Sequence, residues 1–300
     1  MSEVIRTENL TKFYGKHRGV IDLDLSVHQG EVFGFLGPNG AGKTTTIRMF
    51  LDFKRPTRGH ASLFGLDAYQ GSREIRRRIG YLPGGLALYE NLTGMELLWY
   101  ASQLQRTAEW RFVEELAERL KCNLHQHIRS LSHGNKQKIG LIQAFMHKPE
   151  LLILDEPTSG LDPLMQHEFY RLIEEVKSDG RTVFLSSHIL PEVEQTCDRI
   201  AIIREGRLVA LEKVAEMKAH ALRQLEIHFA AAVPKEAFDN LAGVRDVTVQ
   251  DGVLRCTVMG TLDALIKVAA QFEVINVVSQ KPSLEDIFLA YYSGDESIAE

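Results

Sequence analysis

The 300-residue chain has no apolar run approaching the ~18 residues that a membrane-spanning helix needs. Its first residues, Met1-Ser2-Glu3-Val4, offer no basic stretch followed by an apolar one, so no secretory signal is read there. The chain is therefore expected in the cytosol, and any role at a membrane needs a separate partner. Cysteine is scarce. Cys122, Cys197 and Cys256 are odd in number, far apart and without C-x-x-C spacing, which argues against a disulfide framework and points to reduced thiols. Cys122 falls near His125, His127 and His133, yet that spacing matches no zinc pattern. Neither sign of charge dominates, and a net charge of −5 with interspersed signs argues against a nucleic-acid partner. What remains is an ordinary globular composition, 44% hydrophobic and 25% charged, with length for about two domains.

The most informative stretch is Gly37-Pro38-Asn39-Gly40-Ala41-Gly42-Lys43-Thr44-Thr45, which fits G-x-x-x-x-G-K-[ST]. It follows the apolar run Val32-Phe33-Gly34-Phe35-Leu36 and precedes a segment of helical character, Thr44 to Asp52. A strand, a glycine loop and a helix in that order make a phosphate cradle. The glycines let backbone N–H groups turn inward, and the helix N-terminus adds a positive dipole at the same point. In such a cradle Lys43 reaches the β- and γ-phosphates of a nucleotide, Thr44 offers a hydroxyl to Mg²⁺ and Thr45 adds a polar contact.

Before this loop, Val4 to Asn9, Val20 to Val27 and Glu31 to Leu36 read as strands broken by Gly15, Gly19 and Gly30, which predicts a small antiparallel layer. Tyr14 stands here either to stack on an adenine ring or to pack a sheet edge, and the two readings weigh about equally. After the loop come a short strand at Ser62 to Gly65, a basic helix at Arg73 to Arg78 and a strand at Ile79 to Pro83. From Leu92 to Leu120 the apolar spacing is helical, which predicts a helical insert with Trp99 and Trp110 in its core. Leu86, Leu88 and Tyr89 ahead of it are a candidate exposed patch for a partner.

A second chemical centre is Leu151-Leu152-Ile153-Leu154-Asp155-Glu156. Four apolar residues ending in two acids describe a buried strand of a parallel sheet that delivers carboxylates at its C-terminal edge. Asp155 is placed to hold Mg²⁺ or its waters, and Glu156 to act as general base or to position water. Between the two centres, Leu131-Ser132-His133-Gly134-Asn135 opens a helix with Ser132 as N-cap, itself a phosphate-binding arrangement. A second anion site beside a complete phosphate loop suggests that two subunits share each nucleotide.

With these residues in order, the chain resembles the nucleotide-binding subunit of an ATP-binding-cassette (ABC) transporter. The resemblance covers roughly the first two-thirds of the sequence: aromatic Tyr14, Walker A at Gly37 to Thr45, signature at Leu131 to Asn135, Walker B at Leu151 to Glu156, D-loop Ser159-Gly160-Leu161-Asp162, and switch histidine His188 after the strand Thr182 to Ser187. It implies that two cassettes, as homodimer or heterodimer, close head to tail on ATP and Mg²⁺. Each nucleotide then lies between the Walker A of one and Ser132 and Gly134 of the other, with His188 on the γ-phosphate. Asp162 also reads as an ordinary helix start before Pro163. It further implies a separate integral membrane permease that holds the cassette at the inner face of the cell membrane. Two positions depart from the family pattern. The glutamine or glutamate usual after Tyr81-Leu82-Pro83 is Gly84, and the signature carries His133 and Asn135 where glycine and glutamine are usual. Glu90, the nearest acid along the chain to Gly84, is expected to face solvent or the partner.

From about Glu212 the composition shifts. Gln224 to Phe229, Val244 to Gln250, Val253 to Met259 and Val274 to Ser279 read as strands, Pro234 to Leu241 and Leu262 to Phe272 as helices. The order βαββαβ is ferredoxin-like, followed by a helix from Ser283 to Tyr292. Its ending, Pro282 to Phe288, resembles the tail of drug- and antibiotic-resistance exporter cassettes. The expected fold class is α/β: a P-loop ATPase domain with a mixed sheet, an antiparallel β layer and a helical subdomain at 1–215, a small α+β domain at 222–293 and a tail at 294–300. The reading is an ATP-hydrolysing exporter subunit. Two alternatives stay open: a soluble cassette protein that does not transport, and a slow cassette acting as a nucleotide-dependent structural partner, motivated by Gly84.

Overall fold

Alternating apolar and polar residues at the start of the chain build two long strands, β1 (Glu3–Tyr14) and β2 (His17–His28), paired antiparallel across Gly15. The computed structural model describes residues 2–105, 109–220, 223–258 and 261–280. Gly19 lies inside β2 rather than ending it, because a Cβ there would stand 2.9 Å from the Lys12 carbonyl of the paired strand. β3 (Val32–Leu36) is buried at every position, and α1 (Lys43–Phe50) follows its loop. β4 (Arg58–Leu63) and β5 (Leu66–Asp67) complete a four-stranded layer in the order β2-β1-β4-β5.

α2 (Ser72–Arg77) and β6 (Ile79–Leu82) lead into the helical insert, which comprises α3 (Gly94–Gln105), α4 (Trp110–Arg119) and α5 (His133–Phe145). Thr93 and Glu96 exchange hydrogen bonds at the start of α3, a capping box that fixes where the helix begins. The expectation for the tryptophans fails here. Leu97, Leu98 and Ala101 form the buried face of α3, which leaves Trp99 58% exposed; Trp110 is half-buried and its indole N–H donates to Glu114.

The principal sheet adds β7 (Leu151–Asp155), then α6 (Pro163–Ser178), β8 (Thr182–Ser187), α7 (Leu190–Thr196), β9 (Arg199–Arg204) and β10 (Arg207–Lys213). Its order is β10-β9-β3-β8-β7-β6, and β9, β3, β8, β7 and β6 run parallel. Phe184 at the centre meets Phe33, Phe35 and Phe50 with ring centroids 5.5–5.8 Å apart, tying the sheet to α1. Each such pair contributes about 1 kcal/mol beyond its buried area. The parallel strands bring the ends of β3, β7 and β8 to one edge, where the loops after them meet.

The chain divides into two units between Glu212 and Lys213. The second begins with α8 (Val214–His220) and holds a sheet of β11 (Arg223–Phe229), β12 (Val244–Gln250), β13 (Val253–Val258) and β14 (Val274–Gln280), with α9 (Asp263–Ala269) between the last two. Its order β12-β13-β11-β14, antiparallel throughout, is that of a ferredoxin-like βαββαβ sheet. The helix expected at Pro234 to Leu241 is a single 3₁₀ turn, Lys235–Ala237. Phe238 is drawn into the core against Phe229 and Phe272, and Gly243 turns the chain at φ +78°. The expected helix from Ser283 and the tail at 294–300 lie outside the described residues. Among the described residues no helix is long and apolar enough to cross a membrane.

Candidate functional site

The loop after β3 takes its shape from three glycines with different tasks. A Cβ on Gly37 would stand 2.4 Å from the Ile203 carbonyl, whereas Gly40 and Gly42 hold φ +80° and +116°, backbone that side chains resist. Gly42 caps α1 without a side-chain bond, so the first N–H groups of the helix stay available to an anion. Ala41 donates to the Pro38 carbonyl across the loop, and Gly206 donates to Ala41 behind it. The nearly buried Lys43 closes the loop, its Nζ lying 2.6 Å from the Gly37 carbonyl and 3.2 Å from that of Pro38.

β7 ends beside this loop. Asp155 is fully buried; Oδ2 accepts from the Thr44 hydroxyl at 2.8 Å and Oδ1 from the Ser186 hydroxyl of β8. Glu156 follows at φ +52°, a left-handed conformation that turns its side chain back over the loop while its N–H donates to the Ser186 carbonyl. Its Oε1 lies 3.2 Å from Lys43 Nζ and its Oε2 2.6 Å from Nδ1 of His188. Tyr14, 40% exposed, joins Asn39, Thr45 and Glu156 in lining a cleft of about 310 Å³ above the loop.

A family model described as ABC transporter matches residues 20–159. Over 306 residues the chain is 37% identical to the bacitracin transport ATP-binding protein BcrA of Bacillus licheniformis, covering 98% of this chain and 99% of that protein. The chain belongs to the ABC transporter ATP-binding family. The linearmycin resistance ATP-binding protein LnrL of Bacillus subtilis is 33% identical over 95% of this chain and 97% of its own length. Among solved structures, an ATP-binding subunit of an ABC transporter superposes with TM-score 0.67 at 32% identity over 72% of this chain and 92% of that one. The dimeric cassette MJ0796 bound to ADP and Pi shares the fold at TM-score 0.62 and 22% identity, over 70% of this chain and 98% of that one.

The cassette is thus an ABC-type ATPase subunit, and its remaining motifs lie elsewhere on the first unit. Ser132 caps α5 by accepting from the Asn135 N–H, and Asp162 caps α6 by accepting from that of Met165. Neither they nor Gly134 line the cleft of the phosphate loop. Gly134 instead abuts the Gly160 carbonyl, and the ring of His133 covers Gly160 at the point where a Cβ would sit, 2.4 Å from its Cδ2. The departure at His133 is thereby accommodated by a glycine in the D-loop. Gly84 lines the cleft, where a Cβ on it would lie 3.1 Å from Asp155 Oδ2, and Glu90 is exposed and paired with Lys136. Leu86 and Leu88 are half-buried, Leu86 lying against Gly140. Tyr89 is exposed, as are Phe53, Tyr69, Trp99, Tyr100, Leu104 and Leu164 among other apolar residues of the first unit.

Three residues shape the site without having been singled out from the sequence. Buried Gln137 donates to the carbonyls of Glu156 and Pro157, fixing the turn after β7. Ser186 holds Asp155, and Glu192, 1% exposed, accepts from the Ser187 hydroxyl. Two serines closing an otherwise apolar buried strand are the signal that marks Ser186. Gln137 and Glu192 fall on helices, where polar residues are routine.

Proposed function

We propose that this cassette is the ATP-hydrolysing subunit of an exporter of antibiotic- or drug-like compounds, acting as a homodimer or heterodimer on a separate permease at the inner face of the cell membrane. The observation that carries the reading is the meeting of Lys43 and His188 on the carboxylate of Glu156, at the mouth of the phosphate loop and next to the Thr44–Asp155 pair. The relatives named for bacitracin transport and linearmycin resistance support the export class.

In this reading the N–H groups from Gly40 to Thr45 and the ammonium of Lys43 bind the phosphates, and Tyr14 stacks on the adenine. Thr44 and Asp155 are hard oxygen donors of the kind Mg²⁺ takes, and they already converge; when bound, the ion neutralises phosphate charge. Glu156 orients the attacking water and accepts its proton, while His188 holds the carboxylate from one side and reaches the γ-phosphate. Ser132, Gly134 and Asp162 serve the nucleotide of the facing cassette, consistent with their standing outside this chain's own cleft. The groove of about 280 Å³ lined by Phe53, Tyr81, Ala101 and Leu104 supports docking of the permease, since exposed Trp99 and Tyr100 extend the same helix.

Two measurements test the reading. Purified chain with ATP and Mg²⁺ should release phosphate, and cells expressing it with a permease should survive an antibiotic, bacitracin being the first to try, that kills cells expressing either alone. Hydrolysis without any change in survival would remove the export assignment and keep the ATPase. Binding of ATP without turnover would favour the slow-cassette reading that Gly84 motivates.

A further inference from the structure

The pair formed by Glu156 and His188 is supported from behind by a carboxyl group that has no place in the chemistry above. Glu192 lies on the first turn of α7, 1% exposed. The Ile189 N–H donates to the Ser187 hydroxyl at 2.9 Å. With one lone pair so engaged, the Ser187 proton is directed to Oε2 of Glu192. Among the described residues Oε1 has no hydrogen-bond partner. Ser187 and Ile189 flank His188, so the buried carboxyl holds the hydroxyl next to the histidine whose ring meets Glu156 at 2.6 Å.

We propose that Glu192 is a positioning residue, holding the loop of His188 through Ser187 and so setting the reach of the His188–Glu156 pair. The proposal rests on the ATPase reading for its effect on turnover, but the placement itself is a property of this chain. Burial pushes the carboxyl up to about 7, the charge of Glu156 adding to the rise and the hydroxyls of Ser187 and Thr158 opposing it. Tyr170 of α6 and Cys197 after α7 also face this carboxyl, both pushed upward mainly by burial and further by its charge. Near neutral pH the group thus exchanges a proton. When neutral, the carboxyl no longer repels Glu156.

The test uses the full chain with the ring nitrogens of His188 observed by NMR, alongside ATP turnover. In the parent, Nδ1 should show the shift of a nitrogen hydrogen-bonded to Glu156. Glu192→Ala should lose that signature and lower turnover by about tenfold, while ATP affinity moves by less than about twofold. Glu192→Gln keeps an acceptor for Ser187, so it should recover the signature and flatten the pH profile of turnover around neutrality. Ser187→Ala breaks the same relay without touching Glu192, and it decides the matter if Glu192→Ala fails to fold. An unchanged His188 spectrum in folded Glu192→Ala or Ser187→Ala overturns the proposal. A parent that does not hydrolyse ATP, yet whose His188 signature is lost in the variants, would count against the ATPase reading and for the placement of Glu192.

Discussion

Nδ1 of His188 lies 2.6 Å from Oε2 of Glu156, and the other oxygen of that carboxylate lies 3.2 Å from Nζ of Lys43. Two donors from different strands' loops thus fix one acid held in left-handed backbone. Glu156→Gln keeps the shape and most of the contacts while removing the basicity. Turnover should fall by about a hundredfold or more with ATP affinity retained, and the closed dimer should accumulate on gel filtration with ATP. A variant that hydrolyses at the parent rate, or stays monomeric with ATP bound, takes Glu156 out of the role.

The contact between signature and D-loop gives a second expectation. Gly160 sits at φ +73°, and a Cβ there would meet Cδ2 of His133 at 2.4 Å. Gly160→Ala therefore combines left-handed strain of about 1–2 kcal/mol with displacement of the ring. It should destabilise the chain and slow ATP-driven dimer closure. Adding His133→Gly removes the ring and should restore part of the loss, so the two changes are non-additive in a double-mutant cycle. Additive effects would show that the two loops do not act on each other.

The parts of the site that could be read from the sequence are the contiguous ones. Gly37 to Thr45 names its own geometry, since glycine spacing, lysine and threonine all lie in one loop between a strand and a helix. Asp155 and Glu156 stand at the end of a run whose burial is plain from its composition, and the βαββαβ order alone predicts the sheet of the second unit. Contacts that join distant residues were not legible. Nothing near Gln137 announces that its amide reaches the carbonyls of Glu156 and Pro157, and Glu192 reads as one more acid on a helix. Trp99 misled because hydrophobic residues crowd α3, and its buried face is already filled by Leu97, Leu98 and Ala101. Spacing locates a face, but neighbours decide which residues occupy it.

Gly84 stands where the family pattern that the chain resembles usually carries a glutamine or glutamate. A Cβ there would lie 3.1 Å from Oδ2 and 3.2 Å from Cγ of Asp155, tight for any side chain. Asp155 is held by Thr44 and Ser186 and cannot yield, but Gly84 and Gly85 are exposed and their loop can move by the few tenths of an ångström required. Gly84→Gln should therefore fold and raise basal ATP turnover, by up to about a hundredfold if the amide reaches the water. Gly84→Ala, with the same contact and no amide, should not. Steady-state rates with and without the permease check this, and brisk, equal rates for all three proteins would show that another group already does the work.

The raised carboxyl of Glu192 also makes a prediction about stability, with its sign fixed by linkage. Its ordinary value is 4.5 and the fold moves it to about 7, so the native state holds a proton that the unfolded chain has given up. The resulting stabilisation is fully present below the ordinary value. It is lost as pH rises through the folded value, by up to about 3 kcal/mol for a shift of this size. Glu192→Gln is neutral at every pH and escapes this loss. Urea unfolding of parent and variant should therefore show stabilities that separate in the variant's favour as pH rises from 4.5 towards 7, then run parallel above it. Because other titrating groups are common to both proteins, the difference isolates Glu192. Curves that stay parallel across the whole range would mean that the carboxyl ionises in the folded chain as it does in water.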